Sequence, residues 1–113
     1  MRELLGSKIH RARVTDANLD YIGSITIDRD LMDKVDLWPY QKVAVVCLDT
    51  GVRLETYVIE GKRGSGDICM NGAAAHLIKK NQTVIIIGYQ FSEKPFNPRC
   101  ILVDDNNKFV KYL

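Results

Sequence analysis

Short apolar runs separated by turn residues extend along the whole chain, and most of them read as strands. Residues 8–14 alternate: Lys8, His10, Ala12 and Val14 fall on one face of a strand, and Ile9, Arg11 and Arg13 on the other. Residues 24–27 form a second, short strand rich in β-branched side chains. Residues 42–48 and 52–59 flank Asp49-Thr50-Gly51, a hairpin signal with glycine where a positive φ is needed. Residues 68–70 are a further short strand. Residues 83–89 are apolar throughout and read as a strand covered on both faces. Residues 100–103 and 108–112 make a last hairpin around Asp104-Asp105-Asn106-Asn107.

Helical signals are few. Asp28 or Asp30 can cap a brief helix through Val35, and Trp38-Pro39-Tyr40 stays outside it because of the proline. Asn71-Gly72 turns into a short alanine-rich helix over residues 73–78. Residues 60–66, with three glycines, read as a flexible loop. Many short strands with two short helices suggest a small closed β-barrel, which leaves no exposed sheet edge.

The chain has 113 residues, 46% hydrophobic and 27% charged, which suits one globular domain over residues 1–113. A net charge of +2 without a Lys/Arg block gives no reason to expect nucleic acid as a partner. No apolar run is long enough to span a bilayer, so a membrane is not expected either. Cys47, Cys69 and Cys100 are widely spaced and read as small buried hydrophobes in a reducing cytoplasm. His10 and His76 are not placed to complete a metal site with them, so no metal is expected.

Gly23-Ser24 carries the most chemistry. A serine hydroxyl can attack a glycine carbonyl beside it, because glycine neither shields its carbonyl nor resists strained backbone angles. Taken singly, that pair is an ordinary turn, Lys8 and Arg53 are ordinary surface charges, and Ala73 to Ala75 are ordinary helix packing. Their joint occurrence in order is what carries weight. With Lys8-Ile9-His10-Arg11, Tyr21-Ile22-Gly23-Ser24, Arg53-Leu54-Glu55-Thr56-Tyr57 and Asn71-Gly72-Ala73-Ala74-Ala75, the chain resembles the bacterial aspartate 1-decarboxylase family. The likeness runs from the N-terminus to Tyr89 and is weaker beyond. Val46 stands where some relatives carry a tryptophan near the active site.

The resemblance implies a six-stranded double-psi β-barrel, assembled as a homotetramer with active sites between subunits. It implies a proenzyme that cuts itself after Gly23 into residues 1–23 and 24–113, with Ser24 converted to a pyruvoyl group. That group would form a Schiff base with L-aspartate and release β-alanine and CO2 for pantothenate synthesis. By the same resemblance Thr56 is the oxyanion donor for cleavage and Tyr57 the proton donor in turnover. Thr56, Gly72, Ala73 and Ala74 contact substrate, with Lys8 and Arg53 for its carboxylates. Asn71 and His10 are supporting residues. An accessory maturation protein is a further conceivable partner.

Thr56 and Tyr57 point to opposite faces of a flat strand. Both can serve one site only if the strand is bulged or twisted, or if the site lies at a strand end. Two rival readings stay open: a barrel that binds without ever cleaving, and a hydrolase using a serine with a free N-terminal amine. The absence of a G-x-S-x-G elbow counts against ordinary serine hydrolases.

Overall fold

In the computed structural model, which describes residues 1–113, one long N-terminal strand organises the rest. It comprises β1 (Arg2–Arg13) and, after a break at Val14–Thr15, β2 (Asp16–Asn18). In chain order there follow β3 (Ile25–Asp28), α1 (Arg29–Val35), β4 (Lys42–Cys47), β5 (Arg53–Gly61), β6 (Ile68–Asn71) and a 3-10 turn (Gly72–His76). The chain ends with β7 (Thr83–Ser92), β8 (Arg99–Val103) and β9 (Phe109–Tyr112). Neighbouring strands run β2-β6-β3-β5-β4-β7-β1-β8-β9.

Because β1 continues directly into β2, the row returns on itself. Val14 N–H donates to Gln82 O (2.9 Å) and Thr15 N–H to Ile68 O (2.8 Å), so the broken strand touches both β7 and β6. With β1–β2 taken as one strand, β3, β4, β5, β6 and β7 complete a barrel of six, the number implied by the resemblance. β8 lies parallel to β1 on its outer side and carries β9 as a hairpin.

Inward-facing residues of these strands fill the barrel: Ile9, Ile25, Ile27, Val43, Val45, Val58, Met70, Val84 and Ile86 are buried together. Leu31, Met32 and Val35 of α1 join the same core. Asp28 caps that helix, accepting from Asp30 N–H at 2.9 Å. Its carboxylate also accepts from Gly64 N–H (3.0 Å) and Gly66 N–H (2.8 Å). The glycine loop, expected to be flexible, is therefore fastened to the helix start by a buried side chain. Nothing in the loop's own composition shows the Asp28 partner.

Three other expectations need correction. The alternation of β1 does not persist: Ile9, not Lys8 or His10, joins Ala12 and Val14 in the core. The register slips between Ile9 and Ala12, and Arg11 sits at φ +65°. A bulge adds one residue, which inverts the facing of everything after it. Asn107 secures the strand just beyond, accepting from Arg13 N–H (2.7 Å) and donating to Arg13 O (2.8 Å).

β7 is covered on one face only. Val84 and Ile86 are buried, while Ile85 and Ile87 stay half-buried because nothing in the chain lies over the outer face of the sheet. The alanine-rich segment is a 3-10 turn of five residues rather than a longer helix. The hairpin at Asp49-Thr50-Gly51 forms as expected, with Gly51 at φ +79°.

Candidate active site

The Gly23–Ser24 bond lies where an exposed loop enters the barrel. Ile22 is 96% exposed, whereas Ser24 is 2% exposed. Ser24 sits at φ +92°, a region that a side chain other than glycine's rarely occupies, and Gly23 before it sits at φ +139°. Such a conformation stores roughly 1–3 kcal/mol and persists only where its surroundings impose it.

Asn71 imposes much of it. At the end of β6, its Nδ2 donates to Ser24 Oγ (3.0 Å) and to Thr26 Oγ1 (3.0 Å), and its own N–H donates to Ser24 O (3.0 Å). Asn71 thus holds both the hydroxyl and the carbonyl of Ser24. Thr26 is the partner that the sequence reading missed; its position two residues after Ser24 on the same strand is the signal that could have found it.

β3 and β5 run parallel, with Ile25 beside Val58. That pairing starts at Ile25 and Val58, so Ser24 and Tyr57 are the residues just before its first rung on each strand. Thr56 lies on the more buried side of β5 and Tyr57 on the exposed side. Even so, the Tyr57 hydroxyl comes within 3.9 Å of the point where a Cβ on Gly23 would stand. The bond lies just before β3 begins, at a strand end. No bulge interrupts the pairing of β5 with β4.

Gly72 opens the 3-10 turn that follows Asn71, with Gly72 buried, Ala73 exposed and Ala74 half-buried. A Cβ at Gly72 would meet Gly23 Cα at 2.9 Å, Gly23 N at 3.0 Å and Tyr21 O at 3.0 Å. Ser24, Asn71, Tyr57, Gly72 and Gly23 are therefore brought together within one chain, and Thr56 is the residue before Tyr57 on β5.

Lys8 and Arg53 are not. Arg53 opens β5 opposite Val46, four residues and thus about 13 Å along the strand from Tyr57. It lines a shallow outer depression with Ala44, Leu54, Glu55 and Tyr89. Lys8 lies on β1 opposite Ile87. Through the ladder Arg53–Val46–Ile85 and the neighbouring ladder Glu55–Ala44–Ile87–Lys8, both cations share the outer face of the sheet. Lys42 and Glu55 pair on that face at 2.8 Å, which raises the Lys42 pKa.

His10, half-buried on β1, has its Nδ1 enclosed without a hydrogen-bond partner. Burial, then the positive charges of Lys8 and Arg11, hold its pKa below the ordinary value.

Comparison with known proteins agrees with this constellation. The aspartate decarboxylase family profile matches residues 1–110, so the likeness continues well past Tyr89. The aspartate 1-decarboxylase of Neisseria meningitidis is 54% identical over 111 residues, covering 95% of this chain and 87% of that protein. That of Acetivibrio thermocellus is 54% identical over 95% of this chain and 88% of its own length. That of Thermoanaerobacter pseudethanolicus is 52% identical over 96% of this chain and 97% of its own. On its fold, its assembled site and these likenesses together, the chain belongs to the aspartate decarboxylase family.

Proposed function

We propose that this chain is a proenzyme that cuts itself between Gly23 and Ser24 and then decarboxylates L-aspartate to β-alanine and CO2. The observation that carries the reading is the state of Ser24. It is buried, strained at φ +92°, hydrogen-bonded through Oγ to Asn71, and directly follows the glycine whose carbonyl it would attack.

Cleavage begins as Ser24 Oγ adds to the Gly23 carbonyl carbon and the amide C–N bond breaks, leaving an ester and a free Ser24 amine. The developing oxyanion needs a donor, worth roughly 2.7–4 kcal/mol where such donors have been removed elsewhere. Thr56, the residue before Tyr57 on β5, is assigned that part. Loss of the Ser24 Cα proton expels the ester oxygen, so residues 1–23 end in a carboxylate and residue 24 becomes dehydroalanine. Water then replaces the nitrogen, ammonia leaves, and residues 24–113 begin with a pyruvoyl group.

The surroundings of Ser24 fit such a group: they are enclosed, supplied with the Asn71 donor, and next to Tyr57. The ketone supplies an electron sink for the charge left at Cα when CO2 departs. Tyr57, with its hydroxyl beside residue 23, returns a proton to that carbon. The backbone of Gly72, Ala73 and Ala74 borders the substrate, and small side chains there let it approach.

Arg53 offers a planar fork for the side-chain carboxylate that aspartate keeps, and Lys8 a single charge. Equal pairing to the departing carboxylate would favour the ground state and slow the reaction. Both cations lie far from Ser24 in their own chain. The reading therefore has a homotetramer in which a neighbouring chain brings its outer sheet face to the site. His10 supports that face from β1. A cytoplasmic place, supply of pantothenate synthesis and an accessory maturation protein fit the same reading.

Incubating the purified protein with L-aspartate tests it. β-Alanine and CO2 should appear in equal amounts, and the Ser24→Ala chain should stay uncut and yield neither. Release of CO2 by Ser24→Ala would overturn the assignment.

A further inference from the structure

Gly72 does more than leave room for substrate: we propose that its bare backbone is the brace that positions Gly23 for self-cleavage. This inference rests on the self-cleavage reading above.

Residues 71 and 72 act on the two reacting partners in turn. Asn71 holds the nucleophile, through Ser24 Oγ at 3.0 Å, and the following carbonyl, through Ser24 O at 3.0 Å. Gly72, the next residue, touches the electrophile's own residue. The space a methyl would need is occupied by Gly23 Cα at 2.9 Å, Gly23 N at 3.0 Å and Tyr21 O at 3.0 Å. All three are backbone atoms, which cannot swing aside as the tip of a flexible side chain can. A methyl at position 72 must therefore push residues 21–23 away while Asn71 keeps Ser24 where it is. That separates Gly23 C from Ser24 Oγ, and a misplacement near 1 Å can cost about a hundredfold in rate.

Gly72 also sits at φ +68°, so alanine there is strained whatever the space. Two other glycines separate the causes. Gly51, at φ +79°, has nothing within 4 Å of its absent Cβ, so Gly51→Ala carries strain alone. Gly66, at φ +73°, has Asn106 O at 2.7 Å from its absent Cβ, so Gly66→Ala carries strain and a backbone clash away from the scissile bond.

The experiment follows cleavage of the freshly made full chain, unsubstituted and with each change, by intact mass against time. The uncut ester is read separately through its scission by hydroxylamine. Trimethylamine N-oxide is added where needed so that all variants are compared fully folded, as judged by their melting curves.

Gly72→Ala should cleave ten- to a hundredfold more slowly than the unsubstituted chain and hold less ester, while both controls cleave close to it. Equal slowing of Gly72→Ala and Gly66→Ala would overturn the proposal, as would Gly72→Ala cleaving like Gly51→Ala. So would a Gly72→Ala chain that stays unfolded in the osmolyte while Gly66→Ala folds, since position 72 would then serve the fold. An unsubstituted chain that never cleaves would instead strike the reading on which the proposal rests.

Discussion

The start and the middle of β5 place their side chains in different settings. At Thr56 and Tyr57 the strand lies just before the start of β3, and a single chain gathers Ser24, Asn71 and Gly72 around one peptide bond. At Arg53 the same strand carries its cation on an open sheet face with Val46, Ile85 and Ile87, in a shallow depression shared with Ala44, Glu55 and Tyr89. The first region holds the residues to which the proposed cleavage is assigned. The second has charge and half-buried apolar surface but no reactive group. On the proposed function, the difference means that making the reactive group and holding the substrate would draw on separate parts of the molecule, one within a chain and one between chains.

The sharpest way to break this comparison is to spoil the outer face alone. Ile87→Glu, which places a charge in the half-buried patch beside Lys8 and Ala44, should disperse the assembly and abolish β-alanine production. Cleavage at residue 23 should still go to completion. Sedimentation, product assay and mass measurement on one sample check all three parts. An assembled, active Ile87→Glu protein would mean that the face is not an interface.

Arg53→Ala makes a finer cut. It should leave cleavage untouched and lower kcat/KM for aspartate by about a hundredfold, through loss of a charge-assisted pair. Steady-state kinetics on fully matured protein measure this, and a cleavage defect in Arg53→Ala would erase the separation of roles.

The smallest effect concerns His10, at the edge of the same face. Its folded pKa lies below the ordinary 6.5 because of burial, then Lys8 and Arg11, so the unfolded chain binds the proton more readily. The stability from keeping His10 neutral is present above that ordinary value and is lost as pH falls toward the depressed one. Denaturant midpoints should therefore drop between about pH 7 and pH 5. His10→Gln should remove part of that slope, and an unchanged slope would deny His10 the role.

Much of this architecture is readable in the residues, but only where the governing interactions are local. The Asp49-Thr50-Gly51 hairpin and the Asp28 cap are decided by a few adjacent positions, and both form as expected. The facing of β1 beyond Arg11 is not readable, because a bulge fixed by pairing with β7 inverts it. The glycine loop looked free because its anchor, Asp28, lies 36 and 38 residues before the amides it holds.

The site divides in the same way. Gly23-Ser24 and Asn71 are legible as chemistry, but their meeting depends on β6 lying antiparallel to β3. The reach of Tyr57 back to Gly23 depends on a parallel register that no local pattern shows. Nor does any local pattern show that Lys8 and Arg53, on strands three places apart, share one outer sheet face.

Intact mass measurement of the purified, warmed protein tests the central claim most directly. Two pieces are expected, residues 1–23 and 24–113, the second lighter by one ammonia than a peptide beginning with serine. A single unbroken chain would contradict the account. So would two pieces with the Ser24 amine intact, since the bond would then have been hydrolysed without forming a ketone.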